Sequence, residues 1–595
     1  MDFYGFYTGN EFSAYEYLGA HFYGGETVFR TFAPAAEKIA VIGEFSDWNE
    51  IPMNRAGDGS FWECSVPGAK PGMMYKYRIY KKGGTVTDHC DPYGFSSELR
   101  PATASKIYDL YEYKFSDEKW ISQRGGFLNK PLNIYEMHFG SWKMKSDEPE
   151  GWYSYSELAE LIIPYLLENG YNYIEFMPLS EHPCDESWGY QQTGFFCATS
   201  RYGDPDGLKE FIDKCHENNI GVIMDFVPVH FAVDDFALRN YDGTDLYEYP
   251  NPDVKNSEWG SCNFMHSRGE VRSFLQSAAH FWLKEFHFDG LRFDAVRNLI
   301  YWHGDTARGE NKMTIDFIKT MNCGLKARIP DAMLIAEDSS AYPGVTKPVF
   351  AGGLGFDMKW DLGWMNDTLN YFRTQPDMRS ENYHKLTFSM MYFYNESFVL
   401  PLSHDEVVHG KATVAQKMSG EYEKKFPQAR ALYLYMYAHP GKKLNFMGNE
   451  IAQLREWDEK RGQDWDILKY PNHDSFHHYI MELNHIYLEN PALYADDFGR
   501  DGFEWLDCHS EDTCVYAFLR KGGEQRILAV FNFSDRTVPD YGLKIDGANS
   551  LKFIINSEIE RFGGCSRDEK DIEISDGMFH LELPPFSGKL YFAES

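Results

Sequence analysis

Eight short apolar runs recur between residues 134 and 447, and stretches long enough for helices separate many of them. The runs are 134–138, 173–177, 221–226, 290–294, 333–337, 355–358, 398–402 and 444–447. Amphipathic segments over Ser156 to Glu168, Asp206 to Asn218, Val271 to Phe286 and Thr314 to Ala327 predict helices between them. Strand and helix alternating eight times is what a closed parallel (β/α)8 barrel requires. The stretch from Pro228 to Arg268, rich in Asn, Asp and Gly, reads as an excursion after the third strand, where functional loops sit.

Outside this region the period changes. Runs at 27–32, 39–43, 62–66 and 75–80, separated by turn clusters at Gly57 to Gly59 and Lys82 to Gly84, predict a β-sandwich. Short β runs return at 513–519, 526–533 and 589–592. The expected division is an N-terminal β-sandwich over 1–115, a barrel over 116–490 and a C-terminal all-β domain over 491–595. The GlyGlyLeuGly run from Gly352 to Gly355 precedes a strand instead of leading from one into a helix, so it reads as a loop and not a phosphate cradle.

Charge and cysteine usage narrow the function. With 58 Lys and Arg against 90 Asp and Glu, the net charge of −32 argues against nucleic acid or an anionic membrane surface as partner. No apolar run approaches a membrane span and the start lacks the pattern of a signal peptide, so a cytoplasmic protein is expected. The ten Cys show neither a CxxC pair nor a repeated spacing, and neither disulfides nor zinc are expected. Aromatic residues make up 17% of the chain, and flat rings can stack on sugar faces as well as fill cores.

In a barrel of this kind, residues at the C-terminal ends of the strands share one mouth. Asp225, Asp294, Glu337 and Asp405 all fall at or near such ends. Arg292 precedes Asp294 by two residues, so on a strand both side chains face the same way and the guanidinium holds the carboxylate ionised. Crowding and burial would keep Glu337 protonated. Two carboxylates with split protonation are the equipment of glycosidic-bond chemistry.

The segments Asp225 to His230, Asp289 to Val296, Ala336 to Ser340 and Leu402 to Lys411 closely resemble, in order and spacing, the four motifs of the α-amylase superfamily of glycoside hydrolases and transglycosidases. Tyr135 to Trp142, Leu179 to Pro183, Trp188 to Gln191, Thr199 to Gly203, Phe446 to Glu450 and Arg455 to Trp457 resemble its glucan-branching members most closely. Ser403 and Val229 stand where hydrolytic relatives usually carry Asn. Gly43 to Trp48 resembles the signature of the glycan-binding sandwich that precedes branching and debranching barrels. Asp338 and Phe293 depart from the usual bacterial pattern, which has Glu and a smaller apolar residue there.

The resemblance implies Asp294 as nucleophile, Glu337 as general acid and base, and Asp405 as a third carboxylate binding sugar hydroxyls beside the cleaved bond. It implies substrate contacts from His230, His404 and Tyr190, with Asp225 and Arg292 orienting the pocket. Trp188 and Trp457 are either sugar platforms or packed anchors, and Trp48 is expected in the core of its module. The implied reaction cuts an α-1,4 linkage with retention and rejoins the chain through an α-1,6 bond on an α-glucan polysaccharide such as amylose or glycogen. The alternative is an amylase-like or debranching hydrolase. No cofactor or obligatory metal is expected, and the protein is expected to be a monomer.

Overall fold

A computed structural model describes residues 1–594 except 147, 149, 568, 569 and 576. At its centre eight parallel strands close into a barrel in sequence order. They are β1 Asn133–Met137, β2 Tyr173–Phe176, β3 Gly221–Phe226, β4 Gly290–Phe293, β5 Met333–Ala336, β6 Met358–Trp360, β7 Phe398–Leu402 and β8 Lys442–Phe446. Closure comes from β1 pairing with β8 in register, Asn133 opposite Lys443. Nearly every strand residue is buried because helices cover the outer face, so the strands read as continuous apolar runs.

The helices that follow are α1 Tyr155–Asn169, α2 Pro205–Glu217, α3 Gly269–Glu285, α4 Lys312–Arg328, α5 Leu362–Arg373, α6 His384–Tyr392, α7 Tyr422–Ala438 and α8 Pro471–Glu489. Four of them, α1, α2, α4 and α5, start on a short polar side chain that caps the helix. Ser154 and Glu157 form a reciprocal capping box on α1, and Asp204 accepts the Gly207 N–H of α2 with Pro205 at the first helical position. Asp361 receives the Trp364 N–H of α5.

Two of the predicted strands move. The sixth begins at Met358 and not at 355, because Gly355 turns at φ 84° and the Asp357 carboxylate accepts the Leu334 N–H from the neighbouring strand (2.8 Å). The eighth begins at Lys442, whose ammonium is spent on the Lys130 and Tyr494 carbonyls and on Asp497, so a charged residue sits inside a strand.

Side-chain alternation polarises the barrel interior. Ile134, Ile223, Ile335, Met358 and Leu444 cluster at the base. Two residues on, Glu136, Asp225 and Glu337 take the same face, as Arg292 does on β4, so the mouth is charged where the base is apolar.

The N-terminal sandwich stacks strands 19–22, 26–32, 61–67 and 54–56 on strands 51–52, 38–43, 74–80, 105–106 and 96–97, with 86–89 paired to 74–80. Phe29 and Tyr75 meet edge to face across the two sheets at 4.9 Å. Trp48 lies outside this core: it is 40% exposed with φ 62°, the left-handed conformation of a turn. The sandwich is tied to the excursion after β3. His89 Nδ1 lies 2.8 Å from the Ala237 carbonyl, the Cys90 N–H donates to the Phe236 carbonyl (2.8 Å), and Lys81 Nζ donates to the Asn240 carbonyl (2.7 Å). The C-terminal sheet orders strands 503–510, 515–522, 525–532, 587–594, 550–556 and 572–573, and a two-stranded antiparallel sheet of 538–544 with 578–583 closes its core. Arg430 of α7 anchors it through the carbonyls of Ser557 (2.6 Å) and Phe562 (3.0 Å). All ten cysteines are free thiols, and no described helix is long and apolar enough to cross a membrane.

Candidate active site

The barrel mouth opens into a cleft of about 830 Å³ walled by Trp188, Tyr190, His230, Asp294, Glu337, His404 and Asp405 among others. Six of the eight residues singled out from sequence line it. The other two, Asp225 and Arg292, sit beneath it, each 1% exposed.

Arg292 organises the floor. Its Nη1 donates to Asp225 Oδ2 and Asp294 Oδ1, both at 2.8 Å, and its Nη2 lies 3.8 Å from Glu337 Oε2. The guanidinium also lies over the Trp360 ring, 4.2 Å from its centre. One buried cation thus offsets three carboxylates, and Arg can do so because its fork presents separate N–H groups to each. Glu337 Oε2 accepts the Ala295 N–H at 2.7 Å, which fixes it directly above the residue following Asp294. Ala295 itself adopts φ 47°.

Burial pushes Asp294 up to about 6 against the pull of Arg292, with Asp225 and Asp405 adding to the rise. Burial lifts Glu337 to about 7, again opposed by Arg292 and reinforced by Asp294. Burial thus lifts both carboxyls, Asp294 as well as Glu337, where the sequence had Asp294 held ionised by Arg292.

Asp405 is not at a strand end. It lies in the turn His404–Val407 after β7, with its side chain 61% exposed. Lost solvation would raise its pKa, but His404, Arg292 and Lys411 outweigh that and hold the carboxyl below the usual range. His404 is the opposite case. Burial would lower its pKa, yet Asp405 and Glu136 lift it to about 9, so the ring is an imidazolium whose Nδ1 donates to Glu136 at 2.6 Å. Its backbone N–H also donates to Glu136, at 3.1 Å. The Tyr190 ring stacks near-parallel to His404, centroids 5.8 Å apart, and its hydroxyl donates to Asp225. His230 is neutral, burial having lowered it to about 4, and its Nδ1 has no partner among the described residues, nor has Asp225 Oδ1.

The two tryptophans differ. Trp457 is 6% exposed and donates to Ser141 Oγ at 2.9 Å, a packed anchor. Trp188, at φ 56°, stacks on His409 (5.3 Å) and packs on Trp457 (4.8 Å) while lining the cleft. Sequence reasoning missed Glu136 and Trp259. Glu136 stood in the Tyr135 to Trp142 motif with no role assigned, although its position two residues after an inward Ile134 marks it as inward and charged. Trp259 lies in the excursion, 43% exposed, with its ring 5.1 Å from His230, and an unsheltered Trp in a predicted functional loop was the available signal. Asp338, the departure from the bacterial pattern, is neutralised by Lys359 at 2.8 Å. Among the described residues no group of three or more His, Cys, Asp or Glu is arranged to hold a metal ion.

A closed parallel barrel with an N-terminal sandwich, a C-terminal all-β domain and this acidic floor defines the architecture of an α-amylase-type carbohydrate-active enzyme. Residues 17–94 match carbohydrate-binding module 48 (isoamylase N-terminal domain), 161–249 the α-amylase catalytic domain, and 505–593 the α-amylase C-terminal all-β domain. A pullulanase from Bacillus acidopullulyticus superposes over 97% of the chain and 74% of its own with a TM-score of 0.72 at 17% identity. Pullulanase from Anoxybacillus sp. LM18-11, solved with maltotetraose, gives 0.73 over 97% and 87% at 17% identity, a likeness of fold. The 1,4-alpha-glucan branching enzyme GlgB of Fusobacterium nucleatum is 46% identical over 579 residues, 96% of this chain and 94% of the relative. That of Geobacillus stearothermophilus is 42% identical over 605 residues, 98% of this chain and 94% of the relative. The chain belongs to the 1,4-α-glucan branching enzyme family.

Proposed function

We propose that the protein branches α-glucan by a double displacement in which Asp294 attacks the anomeric carbon of an α-1,4-linked chain. Glu337 donates its proton to the departing glycosidic oxygen as the bond to carbon forms, leaving a covalent glycosyl-enzyme. Glu337, now ionised, takes the proton from a 6-hydroxyl of an acceptor chain. That oxygen displaces Asp294, and the transferred segment is joined through an α-1,6 bond. Two inversions retain the α configuration.

The observation that carries this reading is the Asp294 and Glu337 pair held on one guanidinium, in a chain of the branching family. Asp405 and the charged His404 are the groups placed to bind hydroxyls of the glucose at the cleaved bond and favour its distorted, cation-like form. Tyr190 supplies a stacking face, and His230 lines the same cleft. The domain reading assigns 1–115 to a carbohydrate-binding sandwich, 116–490 to the catalytic barrel and 491–595 to the C-terminal β domain; the matches at 17–94 and 505–593 lie inside the flanking bounds. The protein is read as a monomer acting on amylose or glycogen in the cytoplasm.

The test is incubation with amylose while iodine colour and reducing ends are followed together, then digestion of the product by a debranching enzyme. Falling colour with flat reducing ends and new α-1,6 branches is the expected result. Rising reducing ends without branches would make the protein a hydrolase.

The pH profile is a second prediction. Activity rises as Asp294 ionises through about 6 and falls as Glu337 loses its proton above about 7, giving a narrow bell in kcat/KM between pH 4 and 9. A plateau reaching pH 9 would remove Glu337 as the acid.

A further inference from the structure

We propose that a second groove beside the catalytic cleft receives the acceptor glucan while the donor occupies the cleft itself. This inference rests on the branching reading above. The groove encloses about 510 Å³ and is lined by Asn366, Asn370 and Arg373 of α5 together with Glu406, Lys411 and Gln416.

The two spaces share one wall. Asp405 and His409 line the cleft, whereas Glu406, Gly410 and Lys411 line the groove, so the segment 405–411 is a ridge with one face towards each. The ridge is held rigidly. The Glu456 carboxylate accepts the Gly410 N–H (2.9 Å) and the Ala412 N–H (2.6 Å). Lys417, itself buried, donates from Nζ to the Ala412 carbonyl at 2.6 Å and to the Glu406 carbonyl. Lys411 Nζ spans the crest, bonded to the Asp405 carbonyl (2.7 Å) and Glu406 Oε1 (3.2 Å). His409, Gly410 and Ala412 all take positive φ, at 57°, 78° and 67°.

Branching is served by such a second path. An acceptor reacts through a 6-hydroxyl within a chain, so glucan continues from the reacting glucose in both directions, and an end-on pocket would not admit it. A channel alongside the cleft lets the chain lie across the molecule with one 6-hydroxyl over the ridge at Asp405, towards the carbon held by Asp294.

The lining suits a neutral polyol. Asn366, Asn370 and Arg373 are exposed and fall on one face of α5 at i, i+4 and i+7. The amides of Asn370 and Gln416 have no side-chain partner among the described residues, and each offers a donor and an acceptor to adjacent hydroxyls.

The test uses the full chain carrying Asn370→Ala with Gln416→Ala, unlabelled amylose as donor and fluorescently tagged maltoheptaose as acceptor. Incorporation of tag into debranching-sensitive product is followed against acceptor concentration, and amylose cleavage is measured in parallel. The expected result is a half-saturating acceptor concentration raised tenfold or more, cleavage within threefold of wild type, and a larger share of cleavages ending in reducing ends because water replaces the missing acceptor. Asn370→Trp, which fills the groove from an exposed helix position, gives the same split if the double variant misfolds. Unchanged half-saturation overturns the groove, as does an equal loss of cleavage and incorporation, which would make it a donor site. If wild type releases reducing ends and forms no α-1,6 product, the branching reading falls, and the groove with it.

Discussion

Substituting Asn for Asp294 is expected to leave a folded protein whose turnover of amylose drops by about 10⁵-fold, the scale of loss when the nucleophile of a concerted catalytic group is removed. Asp294 has no substitute in the cleft. Glu337 is committed to the Ala295 N–H and to proton transfer, and Asp405 stands on the exposed turn after β7. Folding should tolerate the change, because Arg292 keeps Asp225 at 2.8 Å and Glu337 at 3.8 Å. Steady-state rates alongside thermal melts check the claim. Wild-type turnover in the variant would sink the assignment, and a collapsed melt would make Asp294 a structural residue as well.

Arg292→Met carries the second large effect, this time on both stability and activity. Breaking a buried ion network by removing one partner costs about 3–5 kcal/mol, since the charges left behind lose their compensation. Here Asp225 and Asp294 would be left facing one another and Glu337 without the guanidinium that lies against all three. Their pKa values, already lifted by burial, would rise further, so the folded state would hold protons that the unfolded chain has released. Stability then falls as pH rises, and the deficit relative to wild type is larger at pH 8 than at pH 5. The activity bell also moves to higher pH and narrows, because losing a cation 2.8 Å away raises Asp294 more than losing one 3.8 Å away raises Glu337. Urea unfolding at the two pH values measures the first effect; an equal deficit at both would show that the network is not electrostatically coupled to the fold.

Much of this architecture was legible because parallel barrel strands are buried on both faces and write themselves as unbroken apolar runs, as at Gly221–Phe226 and Phe398–Leu402. The same logic fails where a strand is short or charged. Met358–Trp360 has three residues, too few to show a period, and Lys442–Phe446 opens on two lysines whose amines are hydrogen-bonded to backbone carbonyls at the barrel base. Asp294 and Glu337 were readable as paired carboxylates at strand ends. Asp405 was located in sequence, but its place on an exposed turn was not, since that depends on how residues 403–411 fold back over Glu456. Glu136 was invisible as a partner of His404 because 268 residues separate them and only barrel closure brings them together. Trp48 was expected in the core; its left-handed backbone turns it outward, a conformation that residue type does not reveal.

The sandwich meets the barrel through Phe236, Ala237 and Asn240, and the same excursion carries His230 and Trp259 to the cleft. The joint between the two modules is therefore also the scaffold of one catalytic wall. The N-terminal module thus braces that wall, and cutting it away would leave the excursion without these three backbone anchors.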